Sequence, residues 1–103
     1  MDVWCEPVTG TVHVTGTLDV RSVSRARETL EAALAMGAGD LVVDLSGLEA
    51  LDAAGLGVLV SAHRKAQRLD RRLVLRRAQP PLLRTLAVTR LHRVLHLERL
   101  VPA

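Results

Sequence analysis

The feature that most constrains the fold is a short apolar run followed, after a connection, by an amphipathic stretch. The run is Leu41-Val42-Val43 between Asp40 and Asp44, and its β-branched residues predict a strand buried on both faces. Asp52 precedes the amphipathic stretch, where its carboxylate can accept hydrogen bonds from the first free backbone N–H groups of a helix. The stretch predicts a helix with these apolar residues on its inner face: Leu56, Leu59, Val60, Ala62, Ala66 and Leu69. We therefore expect the functional site where strand, connection and helix start meet.

Similar signals place the other elements. Before the central strand, the sequence predicts a hairpin of strands 2–8 and 10–16, a loop over 16–19 and a helix over 23–36. Ser22 is the expected N-cap of that helix, and Gly37 and Gly39 end it. After the central helix, we expect a strand at 73–75, a helix that begins at Pro80 or Pro81, and a short strand at 94–97. The inner face of the last helix is expected to consist of Leu82, Leu83, Leu86 and Ala87.

The order of these elements predicts the fold class. Strands and helices alternate after the hairpin, which favours a largely parallel sheet with right-handed crossovers. We expect a single α/β domain over residues 1–103, with a mostly parallel sheet of about five strands, an N-terminal hairpin and three to four helices. In such folds the functional end is usually where strands lead into helices, and Asp19, Asp44 and Asp52 are expected toward that end.

Composition limits the class of protein. The chain has 103 residues, enough for one core. Trp4 is its one aromatic residue, so the core must be built from Leu, Val and Ala. Cys5 is the one cysteine, which excludes an internal disulfide and a cysteine metal site. No apolar run approaches the ~20 residues of a membrane span, and the N-terminus lacks the features of a signal peptide. We expect a cytoplasmic protein without membrane insertion.

Charge is distributed unevenly along the chain. Residues 1–52 carry a net charge of −6, and residues 53–103 carry +9. The basic half suggests an acidic partner. Nucleic acid is disfavoured, because single-strand binding usually needs aromatic side chains for stacking and the basic half has none. No helix-turn-helix pattern is present either, so we do not expect nucleic-acid binding.

The carboxylates and histidines do not predict an enzyme or a metal site. Asp19, Asp44 and Asp52 could suggest a phosphoacceptor site of the receiver type, but the paired acids and the later lysine of a receiver are absent. Asp44 and Asp52 are better interpreted as turn and capping residues. His92 and His96 have no third ligand nearby, which argues against zinc. We expect no cofactor and no metal.

Nucleotide binding and nucleophilic catalysis have no support either. Gly55-Leu56-Gly57 lacks the Lys-Ser/Thr pair of a phosphate loop, and its glycines are better explained by close packing of the helix start. No Ser-His-Asp or Cys-His arrangement has local support. The chain is predicted not to be an enzyme.

Four stretches resemble a known family. They are Gly16-Thr17-Leu18-Asp19, Val42 to Leu48, Leu51-Asp52-Ala53-Ala54-Gly55-Leu56-Gly57-Val58-Leu59, and Pro80 to Leu91. Together they resemble the STAS domain family, whose small bacterial members are anti-sigma factor antagonists. In those antagonists, a partner kinase that doubles as the anti-sigma factor phosphorylates a hydroxyl residue after the central Asp. The resemblance implies that the unmodified antagonist binds this kinase and frees a sigma factor.

The chain departs from the family pattern at two places. Both positions equivalent to the phosphorylated hydroxyl residue are alanine, Ala53 and Ala54, so neither can accept phosphate. Arg90 stands where the family usually has glycine after the third helix. If that position needs a left-handed backbone, arginine costs roughly 1 kcal/mol there.

The resemblance also implies where a partner binds. The expected partner-binding residues are Asp19, Asp52, Ala53, Ala54, Gly55, Gly57, Arg64 and Arg68. The solvent-facing side of the central helix is expected to carry His63, Arg64, Lys65, Gln67 and Arg68. The alanines would form a flat apolar spot beside this cationic face, which suits an acidic partner with an apolar contact at its centre.

Three functional interpretations follow from the resemblance. The protein is an antagonist held in its unmodified, binding-competent form and controlled by abundance or by a partner. Alternatively, it is a STAS interaction module in a larger signalling or transport complex. The third interpretation is a small-ligand or lipid site in the crevice beside Asp19 and Asp52.

Overall fold

The structure, a computed structural model, describes residues 1–98. Its elements in chain order are β1 (Asp2–Cys5), β2 (Val12–Leu18), α1 (Val23–Ala35), β3 (Asp40–Asp44), β4 (Leu48–Leu51), α2 (Ala53–Arg68), β5 (Arg72–Arg76), α3 (Pro80–Val88), a 3₁₀ turn (Leu91–Arg93) and β6 (His96–Leu97). The last five residues of the predicted domain, 99–103, lie outside the described part.

The sheet is mixed but mostly parallel. Its main order is β1-β2-β3-β5-β6, and β4 pairs with β2 beside this path. Among the described strands, only β1 and β2 pair in antiparallel fashion, which gives the predicted N-terminal hairpin. From β2 onward every crossover steps in the same direction, and right-handed crossovers of this kind place their helices on one face. In agreement, α1 and α2 pack against each other. The predicted α/β fold class is confirmed.

The sheet has six strands in the described residues, one more than predicted. β4 lies in the stretch that the sequence had indicated as a loop. After a turn at 45–47, β4 runs in the same direction as β3. The two strands pair with different halves of β2. Val12 and His13 pair with β3, whereas the second half of β2 pairs with β4. The end of β4 thereby brings Asp52 beside the end of β2.

The central strand is buried on one face only. Leu41 and Val43 are buried, but Val42 between them is half-buried, and β5 repeats the pattern with Val74. The prediction of burial on both faces was wrong because the crossovers place all three helices on the same side of the sheet.

The core is aliphatic, as the composition predicted. Its largest fully buried side chains are Leu18, Leu30, Leu34, Leu45, Leu59, Leu73, Leu75, Leu86, Val12, Val14, Val43 and Val58. Trp4 lies outside this core with 46% of its surface exposed. Its ring stacks on His13 with centroids 5.1 Å apart.

Helix faces follow the predicted periodicity with a few exceptions. In α1 the buried residues are Ala26, Leu30, Ala33 and Leu34, which recur at helical spacing. In α3 Leu82 and Leu86 are buried, but Leu83 and Ala87 are exposed, because this short helix contacts the core along a narrow line. Leu69, which was predicted on the inner face of α2, is exposed because it lies at the C-cap, beyond the last turn of the helix.

Ser22 stands at the N-cap position of α1 but makes no side-chain capping bond. Its hydroxyl instead accepts a hydrogen bond from the Asp19 backbone amide at 3.0 Å. The prediction was right about the position and wrong about the bond.

A single arginine closes the C-terminal end of α1. Arg71 Nη1 donates to the carbonyl oxygens of Ala33, Leu34 and Met36 at 3.1, 3.0 and 2.9 Å. Its Nε donates to the carbonyl of Gly39 at 3.0 Å. The last carbonyl groups of a helix have no partner within the helix, so Arg71, just before β5, satisfies them from a distant part of the chain.

Arg90 adopts the left-handed backbone that the family pattern suggested, with φ 62°. This conformation is strained for arginine and relaxed for glycine. We therefore expect Arg90→Gly to stabilise the domain by about 0.5 to 1 kcal/mol, after allowance for the added freedom of the unfolded chain. Thermal denaturation followed by circular dichroism would show an increase in Tm of a few degrees.

Arg93→Gly is the matched control for this prediction. Arg93 is also exposed and basic, but its φ is not positive, so glycine there should leave Tm unchanged or lower it. An Arg90→Gly variant that melts no higher than the parent would contradict the strain argument.

Candidate functional site

Asp52 joins the start of α2 to the loop after β2. Its Oδ1 accepts a hydrogen bond from the Gly55 backbone amide at 2.9 Å, which confirms the predicted N-cap. Its Oδ2 accepts from the Val20 amide at 3.3 Å. One carboxylate therefore fixes the helix start against the loop that leads into α1.

Asp19 organises that loop from within. Its Oδ1 accepts a hydrogen bond from the Arg21 backbone amide at 3.0 Å. This bond, together with the nearby Arg21 guanidinium, lowers the pKa of Asp19 and keeps it ionised. Asp19 and Asp52 thus lie in adjoining segments at the same end of the sheet, as predicted.

Gly55 allows α2 to begin close to β2. A Cβ at this position would lie 2.3 Å from the carbonyl oxygen of Leu18 and 3.0 Å from its Cγ. No side chain fits there, so the explanation by close packing is confirmed for Gly55. For Gly57 the same explanation was wrong, because no atom lies within 4 Å of the position that its Cβ would occupy.

The exposed side of the helix start contains a shallow depression, here called the α2 depression. Ala53, which lines it, is exposed, and the neighbouring Ala54 is half-exposed. The depression has a volume of about 570 Å³ and is lined by Ala53, Leu56, Gly57, Val60, Ser61, Arg64, Arg68 and Leu91. It brings together four of the predicted partner-binding residues: Ala53, Gly57, Arg64 and Arg68. The other four, Asp19, Asp52, Ala54 and Gly55, do not line it.

The contribution of Leu91 to the lining of the depression was not predicted from the sequence. Leu91 belongs to the 3₁₀ turn after α3 and reaches the outer side of α2, where Leu56 and Val60 are half-buried. The two α2 side chains had been assigned to the inner face. Leu56 and Val60 lie at the border of that inner face. This position was the one sequence signal that an apolar contact extends outward from the core.

Arg64 and Arg68 are exposed and carry no internal ion pair within residues 1–98. Lys65 behaves differently, because its Nζ lies 3.8 Å from a carboxylate oxygen of Glu31 on α1. Of the predicted cationic face, the two arginines are therefore the groups that remain available to a partner.

His63 was predicted to face solvent and is instead buried, with 2% of its surface exposed. It follows Leu59 by four residues and precedes Ala66 by three, which places it on the inner face of α2. Its ring centroid lies 5.3 Å from that of His96. Burial, assisted by the charges of His96 and Arg64, lowers the pKa of His63, so the ring is neutral at pH 7. His63 therefore does not lie on the exposed face of α2.

Asp44 is a turn residue, as predicted, and is buried with 2% exposure. Its Oδ1 accepts from the Ser46 amide at 2.9 Å, and its Oδ2 lies 2.8 Å from Arg77 Nη2. Burial alone would raise the pKa of Asp44, but the bonds from Ser46 and the charge of Arg77 outweigh it and lower the pKa overall. Asp44 is therefore committed to internal partners.

Metal ligands are not grouped in the described part of the chain. Among residues 1–98, no three His, Cys, Asp or Glu side chains are placed to hold a metal ion. Nδ1 of His92 lies 3.2 Å from the carbonyl oxygen of Leu86, whereas the ring of His96 lies against His63. The described helices also include none that is long and apolar enough to cross a membrane.

The family described as "Mlab, STAS domain" matches residues 2–102. The chain belongs to the STAS domain family. No curated protein matches this STAS domain in sequence.

Solved structures with the same fold include anti-sigma factor antagonists. An antagonist from Mycobacterium paratuberculosis shares 25% identity at a TM-score of 0.78, with 97% of this chain and 86% of that chain covered. The antagonist SpoIIAA in its unphosphorylated form shares 17% identity at a TM-score of 0.71, covering 97% and 90%. The Bacillus protein SpoIIAA in its phosphorylated form gives 20% identity and a TM-score of 0.71, covering 95% and 92%. At these last two identities the likeness shows the fold alone.

Proposed function

We propose that this STAS domain is a non-enzymatic regulatory protein of the anti-sigma factor antagonist type. It binds a kinase-like anti-sigma factor and thereby releases a sigma factor. The observation that carries the proposal is the start of α2: Asp52 fixes it in place, and Ala53 and Ala54 lie at its surface. Similar structures named as antagonists support the general kind of function.

The missing hydroxyls define how this antagonist differs from the family pattern. A helix N-terminus presents free N–H groups and the positive end of the helix dipole. Phosphate added there contributes about −1.5 to −2 charges, enough to change a docking surface without disturbing the core. Because Ala53 and Ala54 accept no phosphate, the surface stays in its uncharged state, and control passes to abundance or to a partner.

The second candidate function is an interaction module in a larger signalling or transport complex. The same two alanines favour it, because a module without a switch needs no hydroxyl. A small-ligand or lipid site beside Asp19 and Asp52 has less support, since both carboxylates already hold the local backbone by accepting hydrogen bonds from its amides.

The test uses the kinase-like anti-sigma factors and sigma factors encoded in the same genome. Titration calorimetry is expected to show binding to one such kinase, and gel filtration is expected to show that its sigma factor is displaced. Incubation with that kinase and ATP should leave residues 53–60 unmodified by mass spectrometry, because they contain no hydroxyl. Ala53→Ser or Ala54→Ser should then restore phosphorylation.

Two results would separate the candidate functions. Failure to bind any of these kinases, together with recovery of a transporter ATPase from the source cell, would favour the interaction module. Phosphate on Ser46 or Ser61 in the parent would mean that the modification site has moved.

A further inference from the structure

The floor of the α2 depression is continuous with the hydrophobic core. Leu56 and Leu91 are partly buried and pack against the core cluster, and Val60 is half-buried beside them. Apolar side chains at such a border leave part of their surface in water. Covering that remaining surface from outside would be favourable.

Gly57 has no internal explanation in the described structure. A glycine inside a helix is less stable than alanine, and alanine would fit here because no atom lies within 4 Å of the added Cβ. Its missing side chain leaves space in the lining of the depression. A side chain from a bound partner would fill that space, which would explain the glycine.

The two charged residues that line the depression are both basic. Arg64 and Arg68 line it, and Arg90 and Arg93 flank Leu91 in sequence. None of the four guanidinium groups makes an ion pair within residues 1–98. Arg68 lies in the last turn of α2, where the helix dipole also favours a cation, but Arg64 has no such internal reason.

We propose that the α2 depression receives one bulky apolar side chain from an acidic segment of the partner protein. The apolar side chain lies over Gly57 between Val60 and Leu91, and carboxylates of the same segment meet Arg64 and Arg68. This inference names the docking element of the partner, and it rests on the proposed function only in taking the partner to be a protein.

The two kinds of contact contribute differently. Solvent-exposed ion pairs contribute little to affinity, less than the burial of the apolar side chain. The arginines should therefore govern the rate of association and its salt dependence, whereas the apolar contact governs the lifetime of the complex.

Synthetic peptides test this inference without the natural partner. The probe is a helical peptide with one leucine between glutamates, and its controls carry glycine for the leucine or lysines for the glutamates. Amide chemical shifts of the ¹⁵N-labelled domain should change around Gly57, Val60 and Leu91 with the probe. The glycine control should bind at least about tenfold more weakly, and the lysine control should not bind.

Variants of the domain supply the second arm. Gly57→Leu fills the depression and should weaken probe binding at least about tenfold. Arg64→Glu combined with Arg68→Glu should slow association and make its salt dependence shallower. Arg27→Glu is the matched charge control, because Arg27 is exposed on α1, outside the depression, with no ion pair in the described residues. It should bind the probe like the parent, apart from the effect of net charge.

The outcomes distinguish this inference from the proposed function. If the parent binds a kinase-like anti-sigma factor and Gly57→Leu and the double-glutamate variant bind it equally well, the inference is wrong and the function stands. If no such kinase binds but the peptide results hold, the depression serves another protein and the function is wrong. Shifts confined to other surfaces, or no binding at about 1 mM probe, would overturn the inference.

Discussion

Gly55→Ala is expected to destabilise the domain by about 3 kcal/mol. The new Cβ would lie 2.3 Å from the carbonyl oxygen of Leu18, the oxygen that accepts the Asp52 backbone hydrogen bond at 3.2 Å. Backbone cannot move aside as a flexible side chain does, so the start of α2 must shift away from β2. For a domain of this size, Tm should fall by more than about 10 °C.

Gly57→Ala is the internal control for this prediction, since it makes the same chemical change two residues further along the helix. Its Cβ meets no atom within 4 Å, and the higher helix propensity of alanine should stabilise the domain by about 0.5 to 1 kcal/mol. Circular dichroism melting of both variants measures the contrast. Equal melting temperatures would show that α2 does not approach β2 as closely as described.

Ala54→Asp is expected to weaken partner binding by more than about tenfold, a loss above ~1.4 kcal/mol. The substitution imitates the charge of a phosphate at a half-exposed position in the first turn of α2. The helix itself tolerates an acid there, because the dipole favours negative charge at an N-terminus. The loss should therefore come from a charge placed in the interface and not from unfolding, and an unchanged Tm would verify this.

Ala54→Asn separates the effect of charge from that of size. It has nearly the same shape as the aspartate variant, so it should lose much less affinity for the partner. If titration calorimetry finds that Ala54→Asp binds the identified anti-sigma factor as tightly as the parent, the docking surface does not include the start of α2.

Much of the fold could be predicted because the sequence signals were local. The β-branched run 41–43, the Asp52 cap and the proline at the start of α3 each correspond to an element in the structure. The left-handed backbone at Arg90 was also anticipated, because one position in a family pattern carried the information. Such features depend on a few neighbouring residues and are therefore visible in the chain itself.

The missed features depend on contacts between distant segments. β4 exists because the second half of β2 is long enough to pair with a second strand. Residues 48–51 themselves carry no sequence signal of this pairing. His63 was misplaced because its residue type was given more weight than its position between Leu59 and Ala66. Leu91 lines the depression but follows α3 in the chain, far in sequence from the α2 residues beside it. No continuous stretch of sequence therefore identifies the depression.

The closure of α1 by Arg71 has a consequence for the order in which the chain folds. Because this arginine is 38 residues beyond Ala33, the carbonyl groups of Leu34 and Met36 lack the hydrogen bonds that it donates until the chain as far as β5 is in place. During synthesis, α1 must therefore wait for α2 and the start of β5 to leave the ribosome before its end can become stable. A nascent chain ending before Arg71 should show rapid amide exchange at residues 33–36, and one that includes β5 should show slow exchange. The time between these two points is the period in which a helix with an incomplete end is open to proteases and chaperones.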